Sequence, residues 1–495
     1  MKDKSIGNDG FLTIEIVIAL AILSSALVSG MYGIYSGQYW KNSSNIKLEA
    51  IYENKTKSDV INELLLDNFY NSTSTKFTIK NDPCNQDSFC YETNVMPKEI
   101  SPCLKNIEIN TFWKINNYPT TSIENETKIT NTVESLKLGG DCLVNTPIGL
   151  WKEGVLSKSN ISSTSPKQHN SVDVFANYIY STASDYPTIH IYKKEVDNIK
   201  FINSFDIKIN NYSVYANSID IVSKTNGKTY AFLTLATSTK QFAVIDVTDL
   251  SKIELVNLLS LRNVNQSGSF PQGNKVFVYG NRAYVTTRET SGFEFHIFDI
   301  ENVENIFEVG NGFELNRTVN DLLVRDQKID GLTKRVVFLA SDSNLKELSV
   351  LDVTNDVISE ISSYNLPGNQ DALSLYTSGE IMYLGRSSNT SGPELYAINI
   401  RDPRNPTILG QGEVSANINT IKASGDYIFL GTNRSNETFQ VWDREYLNWN
   451  NILNSSRLQK YNFSNLYGFD LAEDSIVLVN NSSVVDKIEL IKGYE

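Results

Sequence analysis

Five phrases decide the architecture: FAVIDVTD (242–249), FHIFDIEN (295–302), LSVLDVTN (348–355), LYAINIRD (395–402) and FQVWDREY (439–446). Each is a short apolar strand closed by an acid or amide. The closing residues are Asp246, Asp299, Asp352, Asn399 and Asp443, spaced by 53, 53, 47 and 44 residues. A period in this range marks propeller blades or solenoid repeats. A second apolar strand precedes four of the phrases, in RAYVTTRE (282–289), KRVVFLAS (334–341), EIMYLGRS (380–387) and DYIFLGTN (426–433), so each unit contains a hairpin. Degenerate copies at 178–194 and 474–493 extend the series to seven units. Short strands at this period, with almost no helical pattern, predict a seven-bladed β-propeller over residues 149–495. The last unit is one strand short, and the stretch at 149–159 is expected to supply it.

Outside the repeat, composition sets limits. The 495 residues are 40% hydrophobic and 20% charged, enough apolar surface for packed cores and against wholesale disorder. With 57 acidic against 44 basic residues the net charge is −13, and such a chain lacks the basic footprint of nucleic-acid binding. All four cysteines, Cys84, Cys90, Cys103 and Cys142, fall in one window. They predict two local disulfides and an oxidising compartment.

The N-terminus carries a different signal. Residues 1–10 (MKDKSIGNDG) are polar and hold Lys2 and Lys4; an apolar run, FLTIEIVIALAILSSALVSGMYGIY, follows over 11–35. A helix of that length reaches across a hydrocarbon core of about 30 Å. Glu15 lies five residues into it, where an ionised carboxylate costs about 2.5–3.5 kcal/mol unless it finds a partner. A short basic leader ending in Gly10, then Phe11-Leu12-Thr13-Ile14-Glu15 and an uninterrupted apolar helix, resembles the prepilins: type IV pilins and the pseudopilins of type II secretion systems. The resemblance implies that a prepilin peptidase cuts after Gly10 and that the new amine of Phe11 is methylated. It also implies that Glu15 is an assembly residue, neutralised in a filament by a Phe11 ammonium. A secretory signal cut after Ala26 or Gly30, and a plain uncleaved anchor, are the alternatives, and neither has a use for Glu15.

Gly30, Gly33 and Gly37 interrupt the helix beyond the apolar run, either as weak points or as a packing motif. Apolar residues from Ile46 to Phe69 partly keep helical spacing, so the long helix is expected over 11–70. Alternating stretches at 76–80, 106–115 and 128–138 predict a small β head over 71–148. The favoured cysteine pairing there is 84 with 90 and 103 with 142, among three connectivities the sequence leaves open. The fold class is mainly β with a long N-terminal helix: a pilin-like α+β head, then the seven-bladed propeller. The phrase LYAINIRDPRNPTILG (395–410) resembles the LVIVD-type repeat of bacterial surface propellers, whereas Arg444-Glu445-Tyr446 departs from it where a turn proline is expected.

Chemistry is sparse. One aspartate per repeat at a strand end is best explained by side-chain to backbone turn bonds. No calcium-loop pattern occurs, and the acids between Asp321 and Asp330 have the wrong spacing. His169, His190 and His296 are far apart and form no metal motif, and no nucleophile-elbow, Walker or dinucleotide motif is present. The reading is therefore no enzyme, no cofactor and no metal. The 25 Tyr and 22 Phe suit glycan or protein binding, yet equally fill strands, and no binding residue is named. The expected function is a minor type IV pilin-like subunit displaying the propeller for adhesion or partner recognition. The alternatives are a pseudopilin whose propeller contacts cargo and a membrane-anchored surface propeller. Its expected partners are the prepilin peptidase, other pilin subunits, the inner membrane before assembly and an unidentified surface ligand. Its expected location is the inner membrane first, then the cell surface.

Overall fold

The computed structural model describes the backbone of residues 77–80, 90–101, 104–114, 121–130, 150–162 and 487–494, five isolated positions between Leu20 and Met31, and residues 169–480 apart from short internal stretches. Those stretches are 185, 196–197, 265–271, 389–391, 425–426, 445–456, 463–465 and 473–474. The N-terminal sheet is antiparallel where β1 (Phe77–Lys80) meets β2 (Cys90–Ser101), and continues through β3 (Leu104–Lys114) to β4 (Thr121–Thr130) in that order. Of the three strands expected here, 76–80 and 106–115 coincide with β1 and β3. The third, at 128–138, overlaps β4 over 128–130 and otherwise lies outside the described residues, and β2 escapes the pattern because its Pro97 interrupts any clean alternation. Next in the chain is β5 (Leu150–Ser162).

Six blades follow, each an antiparallel sheet of four consecutive strands. The first is β6–β9 (His169–Phe175, Tyr178–Ala183, Ile189–Lys194, Ile199–Phe205), trailed by a small hairpin of β10 (Lys208–Ile209) and β11 (Tyr212–Ser213). The second is β12–β15 (Ala216–Ser223, Thr229–Leu235, Phe242–Asp246, Glu254–Leu259) and the third β16–β19 (Gly273–Tyr279, Arg282–Thr287, Phe295–Asp299, Phe307–Phe313). The fourth is β20–β23 (Val319–Ile329, Leu332–Ser341, Leu348–Asp352, Ser359–Tyr364) and the fifth β24–β27 (Ala372–Ser378, Ile381–Arg386, Leu395–Asn399, Thr407–Gly412). The sixth is β28–β31 (Ile418–Ser424, Tyr427–Thr432, Phe439–Asp443, Arg457–Tyr461). The last three strands, β32–β34 (Leu466–Ala472, Ser475–Asn480, Lys487–Tyr494), form no blade of their own. They are completed by β5, which pairs antiparallel with β34 from Lys487↔Ser162 to Tyr494↔Leu150.

The sequence-derived fold class is thereby corrected. The blades of consecutive strands number six, not seven, because the sheet of the last three strands is a composite of both ends of the chain; the strand expected from 149–159 to complete it is indeed supplied by β5. Of the long helix expected over 11–70, only Leu20, Leu23, Ser24, Ser29 and Met31 are described, each of them helical, and of the head expected over 71–148 the described part is the sheet β1–β4. Within the propeller's described residues the only helical run is a 3-10 turn at Thr354–Asp356, and among the described residues no helix is long and apolar enough to cross a membrane. The expected leader, nearly all of the 11–70 helix and the helix-interrupting glycines lie outside the described residues.

Both faces of a blade are buried, so its middle strands read as continuous apolar runs. In β14, Phe242 and Val244 pack toward the third blade with Val278 and Phe298, whereas Ala243 and Ile245 pack toward the first with Ile191 and Ile207. The Phe242 and Phe298 rings lie 4.8 Å apart between centroids. Inner strands β6, β12, β16, β20, β24, β28 and β32 neighbour one another in that order, and β32 returns to β6. The ring is closed by covalently distant segments, which leaves no exposed sheet edge at the junction.

Candidate functional site

The inner strands line an axial cavity of ≈ 170 Å³. Four aspartates face it, and each is tied to the next strand of the ring: Asp173 Oδ2 accepts from Ile221 N (2.6 Å), Asp220 from Val278 N (2.6 Å), Asp321 from Leu375 N (2.8 Å) and Asp470 from Val174 N (2.9 Å). Two lysines complete the lining. Lys422 pairs with Asp470 at 3.0 Å and lies 5.5 Å above the Tyr376 ring, and Lys275 stands 3.8 Å from Asp321. Carboxylates engaged by backbone donors and lysines in this way are ties between blades.

A second ring lies at the start of the same strands. Asn170 Nδ2 donates to Ala216 O (3.0 Å), Asn217 to Gly273 O (2.8 Å), Asn274 to Val319 O (2.6 Å) and Asn320 to Ala372 O (2.8 Å); in the fifth blade Ser374 Oγ donates to Ile418 O (2.8 Å). A third repeat sits immediately before the middle strands, at Gln241, Glu294, Glu347 and Glu394, where a buried side chain accepts from the loop that enters the next blade. The donors are Leu261 N (3.1 Å), Leu315 N (2.7 Å), Leu366 N (3.1 Å) and Val414 N (2.8 Å), respectively. Burial pushes the carboxyls of Glu294, Glu347 and Glu394 above the ordinary 4.5, against the opposing pull of these backbone donors.

The strand-end residues make turns. Oδ1 of Asp246, Asp299, Asp352 and Asn399 each accepts from the backbone N–H two residues on, at 2.9 Å. Asp246 and Asp352 also pair with Lys228 and Lys334, and these bonds outweigh burial and hold both carboxyls below 3.8. The three histidines serve packing. His169 and His190 are buried with ring centroids 5.7 Å apart, and His296 sits between Glu308 Oε1 (2.7 Å) and Phe293 O (2.9 Å). Among the described residues no group of three or more His, Cys, Asp or Glu is placed to hold a metal ion. Gly10, Phe11, Glu15, Cys84, Cys103 and Cys142 lie outside the described residues, and Cys90 opens β2 with its side chain likewise outside them.

The sequence reading named no surface group, and one stands out between the first two blades. Tyr186 and Tyr215 stack with centroids 5.3 Å apart and an interplanar angle of 20°, at 46% and 37% exposure, and Tyr212, three residues before Tyr215, is exposed as well. Their chain separation, with the β10–β11 hairpin between them, gives no local pattern.

No family model matches the chain, and no curated protein matches it in sequence. Solved structures resemble it in fold. One, from the structure of a mitotic checkpoint complex, has 10% identity and a TM-score of 0.47 over 69% of this chain and 93% of its own. YCF48 bound to a D1 peptide has 8% identity and a TM-score of 0.42, covering 68% and 95%. A Staphylococcus aureus virginiamycin B lyase with quinupristin has 11% identity and a TM-score of 0.41, covering 68% and 99%. At these values none of them bears on what this chain binds or does.

Proposed function

We propose that the chain is a minor type IV pilin-like subunit that inserts by its N-terminal segment and presents the propeller outside the cell for adhesion or partner recognition. The observation that carries this reading is Gly10-Phe11-Leu12-Thr13-Ile14-Glu15 at the head of an apolar run reaching Tyr35. A carboxylate so placed in hydrocarbon needs a cationic partner, and the methylated amine of Phe11 from a neighbouring subunit supplies one. The prepilin peptidase, other pilin subunits and the inner membrane before assembly are its partners. Recognition is favoured over catalysis because the channel acids Asp173, Asp220, Asp321 and Asp470 are engaged in holding adjacent strands. The test is mass spectrometry of the mature N-terminus in protein isolated from its native host. A chain beginning with N-methylated Phe11 is expected. One beginning after Ala26 or Gly30, or retaining Met1, overturns the filament reading.

A further inference from the structure

The hairpin between the first and second blades is built to hold aromatic rings in solvent. Asn210 and Asn211 form its tip with φ of 51° and 68°, the left-handed pair that a two-residue turn requires and that asparagine tolerates. Its base is fixed from several sides. Val214 N donates to Ile207 O (3.0 Å), Ile207 N to Thr188 Oγ1 (2.9 Å), Thr188 Oγ1 to Val214 O (2.8 Å) and Ala236 N to Tyr215 O (2.9 Å), while Ile207 is buried. The carboxylate of Asp206 is taken up by Thr188 Oγ1 (3.3 Å) and Ser213 Oγ.

Next to this base Tyr186 and Tyr215 stack, and the hairpin strand that leads into Tyr215 carries Tyr212 at 78% exposure. The Tyr186 hydroxyl bonds to Tyr215, which raises its pKa. Each blade core is complete without these rings. The groups presented are ring faces, phenol hydroxyls and the amides of Asn210 and Asn211, with Lys208 the one exposed charge on the hairpin strands. An acidic ligand would call for several cations and an apolar peptide for a concave pocket. Flat uncharged rings bordered by amides match the C–H face and hydroxyl rim of a pyranose ring.

We propose that Tyr186, Tyr215, Tyr212 and the Asn210-Asn211 tip form a platform that binds a neutral glycan. The proposal deepens the recognition reading above and rests on it. The test uses the full-length chain in detergent on an array of neutral, sialylated and sulfated oligosaccharides, with Tyr186→Ala, Tyr212→Ala and, as a control at a distant exposed site, Leu345→Ala. Retention of neutral oligosaccharides is expected for the wild-type and control proteins. Each tyrosine variant should bind about tenfold more weakly with an unchanged melting temperature. Binding of acidic glycans alone, no glycan binding, or equal binding by all variants overturns the platform. Cells carrying the same variants separate the two proposals. Attachment that needs the propeller but ignores both tyrosine substitutions sinks the platform and spares display. Glycan binding lost with the tyrosines, in a chain never found outside the cell, sinks display and spares the platform.

Discussion

Replacing Arg386 with methionine should be among the most damaging single changes in the propeller. The guanidinium and its partner Glu347 are both fully buried. Arg386 donates through Nη1 to Pro367 O (2.8 Å) and the Tyr396 hydroxyl (3.4 Å), and through Nη2 to Gln370 O (3.1 Å) and Glu347 Oε1 (3.2 Å), with its Cζ 5.5 Å from the centroid of the Tyr396 ring. Methionine fills much of the volume but leaves one carboxylate and two carbonyls without these donors. Breaking a buried pair from one side costs about 3–5 kcal/mol. Burial already raises Glu347 above 4.5, and losing the cation raises it further. The variant's deficit should therefore shrink as the pH falls, since the orphaned carboxyl takes up a proton. Adding Glu347→Gln should recover a large part of the loss, because the amide oxygen still accepts from Leu366 N. Denaturant unfolding of the full chain, followed by near-ultraviolet circular dichroism at pH 7 and pH 5, measures all four corners of the cycle. A single-variant cost below about 1 kcal/mol, or a double variant as unstable as the sum of the singles, would refute the reasoning.

Asn217→Ala removes the 2.8 Å bond to Gly273 O and should cost about 1–2 kcal/mol by the same unfolding assay, with Asn320→Ala similar. Gly385→Ala would set a Cβ 2.5 Å from Ser374 Oγ and 2.6 Å from Ile418 Cγ2, and should destabilise by about 1–3 kcal/mol, read as a lowered denaturant midpoint. Stability should also follow a defined pH course. The raised carboxyls of Glu294, Glu347 and Glu394 give stability that is fully present below 4.5 and lost as pH rises through their folded values, whereas the lowered Asp246 and Asp352 give stability that is lost as pH falls below 3.8. The melting temperature should thus be highest in mildly acid solution, and Glu394→Gln should flatten the limb toward neutral pH; a maximum at or above pH 7 contradicts this.

What the sequence made legible is what one strand records by itself. The phrase at 242–249 is continuous because Phe242 and Val244 meet one neighbouring blade and Ala243 and Ile245 the other. Its closing Asp246 bonds only two residues ahead. The turn reading of these acids, made from position alone, agrees with the geometry. The blade count exceeded the six blades of consecutive strands because the last sheet joins both ends of the chain, yet the shortage of one strand in the last unit was enough to point to 149–159 as its partner, and β5 pairs with β34 there. The buried Gln241, Glu294, Glu347 and Glu394 were within reach, one position ahead of the quoted phrases and at the same period. They were passed over because a reading anchored on apolar residues starts one residue too late.

The asparagine ring was harder to find, for a physical reason. Inner strands turn one edge to a polar cavity, so Asn170, Asn217, Asn274 and Asn320 sit in weakly apolar stretches, and the connections that precede them differ widely in length. Each of the first five blades thus contributes one tie at the strand entry, and several add a second through an aspartate further along, to the next blade in the ring. Apart from the ring-closing bond of Val174 to Asp470, 296 positions apart, such contacts join residues about 45–60 positions apart and leave the faces of the middle strands free to be wholly apolar. The cost falls on the channel, whose charged groups are used to hold the ring together. Elaborations such as the β10–β11 hairpin escape that constraint, because they begin after a blade is complete. The connections between blades are accordingly where tyrosines such as Tyr212 can stay exposed without loosening the core.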